Sequence, residues 1–162
     1  MQEKKFEFLK RTFFMGPLIM LLLILLEVAA YFFHLKYPFS LNLTRQTQIL
    51  ITIPLVLIFI TGYLSFLLTY RKHSVGKKVI KSGPYRLVRH PLYAADIFTL
   101  PSIAVVWFNS IAFVIAWLIL LFLLHFIVKP EEKYMEKKFG EEYLQYKRKV
   151  PSILPYKGFV KL

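Results

Sequence analysis

No cysteine occurs anywhere in the 162 residues, which excludes disulfides, thiolate zinc sites and cysteine nucleophiles at once. Histidine is scarce, and the four present are scattered without the paired spacing of a metal site, so no metal ligand is assigned. Acidic residues number nine against 22 lysines and arginines, for a formal charge of +13. An excess of that size suits nucleic acid or anionic lipid. Because the basic residues flank long apolar runs, the expected partner is anionic lipid headgroups, with no nucleic acid and no obligate protein partner inferred. No internal repeat or low-complexity tract is visible. No cleavable signal is evident either, since the first apolar run is too long for a signal core and lacks a small-residue cleavage site.

What is present is apolar. The chain is 57% hydrophobic and 17% aromatic, beyond the range of an ordinary soluble domain, and one compact membrane domain covering 1–162 is expected. Four apolar stretches stand out: Phe13 to Phe33 (broken only by Glu27), Ile49 to Leu68 (with Pro54), Ala94 to Phe108, and Ile111 to Val128. The first two are long enough to cross a hydrocarbon core of about 30 Å. Ala94 to Phe108 is short for a full crossing. The polar break Asn109-Ser110 makes the last two a helical hairpin.

Basic residues set the orientation. Lys4, Lys5, Lys10 and Arg11 precede the first span, seven more lie between Arg71 and Arg89, and nine follow from Lys129 onward. The loop from His34 to Gln48 carries only Lys36 and Arg45. Four crossings, with both termini and the central 71–93 loop in the cytoplasm, satisfy these counts. The expected fold is therefore all-α and integral to a membrane, multi-pass, with short cytosolic helices in the tail 129–162. Small size and the lack of cysteine fit a prokaryotic inner membrane.

Two polar segments hold the chemistry. Gly83-Pro84-Tyr85-Arg86-Leu87-Val88-Arg89-His90-Pro91-Leu92-Tyr93 places arginines, a histidine, tyrosines and prolines between spans. Irregular polar backbone at a membrane boundary survives only where protein or a water-filled cavity satisfies it, so this segment is expected to build a site. In the tail, Glu131 to Gly140 predicts a helix with Pro130 at its start and Gly140 at its end. A second helix over Glu141 to Lys149 has acids early and bases late, as the helix dipole favours, and Pro151 and Pro155 stop it.

These two segments together resemble the isoprenylcysteine carboxyl methyltransferase family. The resemblance rests on Gly83 and Tyr85, Arg89 to Tyr93, a helical hairpin, Glu131-Glu132, Phe139-Gly140, Tyr143, Tyr146 and Val150-Pro151, in order and at family-like spacing. It covers about the C-terminal half. It implies a membrane enzyme that transfers the methyl of S-adenosylmethionine to a lipid-like or prenylated substrate arriving from the bilayer, with the C-terminal helices closing the cofactor pocket. Carried residue by residue, cofactor contacts fall on Tyr85, His90, Pro91, Leu92, Tyr93 and Glu131. Lys77, Lys78, Val79 and Ile80 occupy the place of a further family cofactor segment.

The substrate half departs from the pattern. Where the family has an arginine for the substrate carboxylate, this chain has Ile127; the nearest cation is Lys129, which with Glu132 is the substrate-binding candidate. Arg89, and Asp96 one turn into the third span, are the candidates for catalysis. Asp96 and Glu27 are functional candidates as ionisable groups inside spans. Structural roles stand beside the functional ones: Arg86 and Arg89 as anchors at lipid phosphates, Tyr85 and Tyr93 in an interfacial aromatic belt, Glu131 and Glu132 as favourable charges at a helix start. Carboxyl O-methylation of a prenylcysteine is what the resemblance implies. N-methylation of an aminophospholipid such as phosphatidylethanolamine is the alternative, and a non-catalytic lipid-binding membrane protein is the alternative of another class.

Overall fold

In the computed structural model, residues 15–72 and 78–161 are described. Phe13, the basic residues Lys4, Lys5, Lys10 and Arg11, and the cofactor candidate Lys77 lie outside them. Four long helices are long and apolar enough to cross a membrane: α1 (Met15–Lys36), α2 (Arg45–Lys72), α3 (Pro91–Phe108) and α4 (Ile111–Ile127). Two short amphipathic helices follow, α5 (Lys129–Phe139) and α6 (Glu141–Lys149). A 3₁₀ turn over Gly83–Arg86 precedes α3. Among the described residues there is no strand, only an isolated bridge between Ser40 and Ser110.

The four helices pack as a bundle in which α2 lies along α3, α3 along α4, and α4 along α1. Its core is thin. Ile19, Leu23, Tyr93, Ile97, Leu120, Leu124, Val128 and Ile153 form one buried cluster, and Ala30, Ala112, Phe113 and Ala116 another. Most remaining apolar side chains point outward, and the apolar middle of α2 has no buried residue. Patches of that extent belong against lipid, where exposure carries no hydrophobic cost.

The third span begins at Pro91 rather than Ala94. Proline in the first turn gives up an N–H that has no helical partner there, so the motif residues Pro91, Leu92 and Tyr93 are helical, and the 18 residues suffice to cross. Farther along, Pro101 lies inside the same helix and removes the N–H that would bond the carbonyl of Ile97. Trp117 of α4 fills that vacancy, its Nε1 donating to the Ile97 carbonyl at 2.9 Å. A carbonyl left unpaired in hydrocarbon would cost several kcal/mol.

The hairpin turn is built on Asn109, whose left-handed backbone (φ 52°) ends α3. Its side chain pairs with both backbone groups of Leu43, at 3.0 and 3.3 Å. Ser110 then caps α4 by accepting from the Ala112 N–H. Gln48 donates to the Val106 carbonyl at 2.9 Å and Arg45 lies 4.0 Å over the Trp107 ring. This stitching closes the end of the bundle remote from α5 and α6.

Trp117→Phe is expected to destabilise the bundle by about 1–3 kcal/mol, the cost of a buried unpaired carbonyl. Adding Pro101→Ala to that variant restores a backbone donor and should recover most of the loss in thermal unfolding in detergent. Simple additivity of the two losses would show that the indole does not substitute for the missing bond.

Candidate functional site

At the polar end, α4 runs into α5 through Val128, whose backbone stays helical (φ −77°, ψ −17°). Glu131 and Glu132 are thereby carried on a nearly continuous rod to the mouth of the bundle, where both are buried. They meet Arg89, His90 and Tyr93 from the start of α3. The backbone that delivers these three is set by Gly83, which has φ +56° and lies so close to the Thr69 side chain that any Cβ would collide with Thr69 Oγ1. Only glycine takes that position without strain.

Glu132 is the most heavily engaged group. Its Oε1 accepts from Arg89 Nε (2.9 Å) and Nη2 (2.5 Å), from Ser152 Oγ (3.1 Å) and from His90 Nε2 (3.3 Å). The last contact assigns the His90 proton to Nε2 by geometry. Lys147 Nζ lies 2.8 Å from Glu132 Oε2 and 2.7 Å from Glu136. Partial burial pulls the Lys147 ammonium down, but its bonds to Glu132 and Glu136 outweigh that and hold its pKa above the ordinary lysine value. The other Arg89 nitrogen, Nη1, donates to the carbonyls of Lys147 and Val150. One guanidinium thus ties α3, α5 and the end of α6 together with its fork filled.

Glu131 is placed differently. Its Oε2 accepts from Tyr93 Oη at 3.1 Å and lies 3.9 Å from His90 Nδ1. The His90 and Tyr93 rings stack at 5.5 Å between centroids, 7° from parallel. A carboxylate with acceptor capacity beside two stacked π faces suits a cationic, hydroxyl-bearing ligand.

A third apolar cluster, Val79, Tyr143, Tyr146 and Val150, roofs this cluster of charges. Burial, together with Tyr143 and Tyr85 nearby, pushes the Tyr146 hydroxyl up; it stays protonated and donates to the Tyr85 carbonyl at 2.7 Å. The tail then returns alongside the loop: Arg89 N–H donates to Pro151 O (2.9 Å), His90 N–H to Ser152 O (3.1 Å) and Val160 N–H to Arg86 O (3.0 Å).

Comparison with protein families matches residues 46–142 to the family described as phospholipid methyltransferase. The chain belongs to that family. It is thereby a membrane methyltransferase in class. Comparison with curated proteins and with solved structures returns no match.

Arg89, His90, Tyr93, Glu131 and Glu132 meet in one contact network, with Pro91 buried and Leu92 half-buried beside it. Tyr85 is tied in through its carbonyl, Val79 is buried in the roof and Ile80 is half-buried. Lys78 is exposed. Asp96 is half-buried one turn beyond Tyr93. Lys129 is not brought in: it is exposed, with Nζ 4.6 Å over the lipid-facing Phe126 ring. Ile127 packs against the bundle core. Glu27 sits about 16 Å along α1 from Gly16, which neighbours Tyr93. Its Oε2, like His34 Nδ1, is buried without a hydrogen-bond partner among the described residues. Sequence reasoning missed Lys147, Ser152 and Ile153, because no local signal says that a tail folds back across a helix start.

Glu132→Gln is expected to cost about 3–5 kcal/mol, the penalty of leaving a buried guanidinium without its charge partner. Chemical denaturation in detergent, with limited proteolysis of the tail, reads it. Unchanged stability and an equally protected tail would show that the pair does not hold the segment in place.

Proposed function

We propose that the protein is an S-adenosylmethionine-dependent N-methyltransferase of an aminophospholipid, acting where its polar end faces the cytoplasm, with a prokaryotic inner membrane as host. The observation that carries this reading is the full engagement of Arg89. With its fork occupied by Glu132 and two carbonyls, Ile127 packed against the core and Lys129 turned to the surface, among the described residues the cluster offers no guanidinium to an anionic acceptor. An anionic acceptor is held best by such a fork; an amine needs a base instead. The family match, made to phospholipid methyltransferases, supports the same choice.

Glu131, Tyr93 and His90 are the residues assigned to hold the cofactor, with Tyr85, Val79, Ile80, Pro91 and Leu92 around them. S-adenosylmethionine supplies an electrophilic methyl on a sulfonium. Glu131 offers a carboxylate oxygen to an ammonium or ribose hydroxyl, and the stacked His90 and Tyr93 rings offer π faces to positive charge. Asp96 takes the proton that a lipid ammonium must lose before its nitrogen becomes a nucleophile. Arg89 and Glu132 are positioning residues, holding the start of α3 against α5. Orienting two reactants can supply several kcal/mol of the barrier. Carboxyl methylation of a prenylcysteine, implied by the motif order in the C-terminal half, is the second reading.

Purified protein should bind S-adenosylmethionine and transfer labelled methyl to phosphatidylethanolamine in a base-stable form. Base-labile incorporation into a prenylcysteine would decide for the second reading, and no cofactor binding at millimolar concentration would sink both. His90→Ala should lower cofactor affinity at least about tenfold, roughly 1.4 kcal/mol, with the fold retained. Asp96→Asn should lower kcat by about 10²–10⁴ with cofactor affinity unchanged; a variant as fast as the parent removes Asp96 from the mechanism.

A further inference from the structure

The tail after α6 does not trail into solvent. Ile153 belongs to the buried cluster formed with Ile19 and Leu23 of α1, Tyr93 and Ile97 of α3, Leu120 and Leu124 of α4, and Val128. The Ser152 carbonyl accepts from the N–H of His90, the N-cap of α3, so Ile153 enters this core where α3 begins. Seven residues later Val160 packs against the cluster of Val79, Tyr143, Tyr146 and Val150, and its carbonyl accepts from Arg86 Nε at 2.8 Å. The loop 154–159 is therefore anchored at both ends, beside the very segment from which α3 departs.

Its tip carries three exposed apolar side chains. Two tight turns shape it: the Tyr156 N–H donates to the Leu154 carbonyl, and the Gly158 N–H to the Pro155 carbonyl, with Gly158 at φ +63°. Leu154, Tyr156 and Phe159 stand 57%, 75% and 69% exposed. The polar partner is Lys157, which donates to the carbonyls of Arg148 and Lys149 at the end of α6 and lies 5.7 Å from the Tyr156 ring centroid. Lys161 follows, also exposed. Aromatic and aliphatic side chains with lysines at their rim match the composition of a bilayer interface.

We infer that loop 154–159 is an interfacial anchor: Leu154, Tyr156 and Phe159 insert into the headgroup and upper acyl layer of the leaflet at the polar end, with Lys157 and Lys161 at its anionic phosphates. Burial of Ile153 holds the loop at the polar end of the bundle, and the loop's charge is complementary to an anionic surface. The anchor sets the distance between the Glu131–Tyr93 cluster and the headgroups. It does not depend on which acceptor is methylated.

The absence of cysteine makes the test direct. Leu154→Cys, Tyr156→Cys and Phe159→Cys are each spin-labelled in proteoliposomes of phosphatidylethanolamine and phosphatidylglycerol. Glu141→Cys, at an exposed position of α6, serves as the aqueous reference. The three loop labels are expected to relax several-fold more with dissolved oxygen, and several-fold less with a water-soluble nickel chelate, than the reference does. Relaxation by nickel equal to that at position 141 would show a solvated loop and overturn the inference. Protection from both agents would place protein over the loop, a second copy or otherwise, and overturn it equally.

Discussion

The polar end depends on one buried ion pair. Arg89 and Glu132 sit 2.5 Å apart with almost no exposure, and neither could be left alone there: an uncompensated buried charge costs more than the pair returns. Everything around them is arranged to complete their hydrogen bonding. Two carbonyls from the end of α6, a serine from the tail, a histidine and a lysine fill the remaining positions. The pair specifies the arrangement of α3, α5 and the tail, because there each of its polar atoms has a partner. His90 and Glu131 acquire defined places as neighbours of that arrangement.

Much of the architecture was legible because the bilayer punishes ambiguity. Four apolar runs, a proline at Pro130, a glycine at Gly140 and the Asn109-Ser110 break each have one physical reading, and the helices follow them. α3 starts three residues before its apolar run. Pro91 reads as part of the irregular segment by composition, whereas a proline in a first helical turn begins the span. The cluster was legible in membership, since His90, Tyr93, Glu131 and Glu132 could be named from motif order. It was not legible in pairing. Nothing local distinguishes Glu132, saturated by cations, from Glu131 one position earlier, which faces Tyr93. That difference arises only when α6 and the tail bring Lys147 and Ser152 across, and such contacts between distant segments leave no periodic trace.

The membrane explains both the economy of the core and the care taken over polar atoms. A soluble protein with so few buried side chains would not hold together; here lipid covers the rest. The same solvent forbids loose backbone groups. Trp117 serves the carbonyl stranded by Pro101, and Asn109 serves both backbone groups of Leu43. Aromatic and amide side chains thus act as replacements for missing helix bonds as much as packing groups.

The helical passage through Val128 has a mechanical consequence. Because α4 continues into α5 without a hinge, Glu131 rides on an extension of a bilayer span, roughly 6 Å past Ile127. A span adapts to the thickness of its host bilayer by tilting, and a rigid extension converts that tilt into lateral displacement at its tip. His90 and Tyr93 ride on a different span, α3. The Arg89–Glu132 pair bridges the two, so a tilt of either span is carried to the other through that contact.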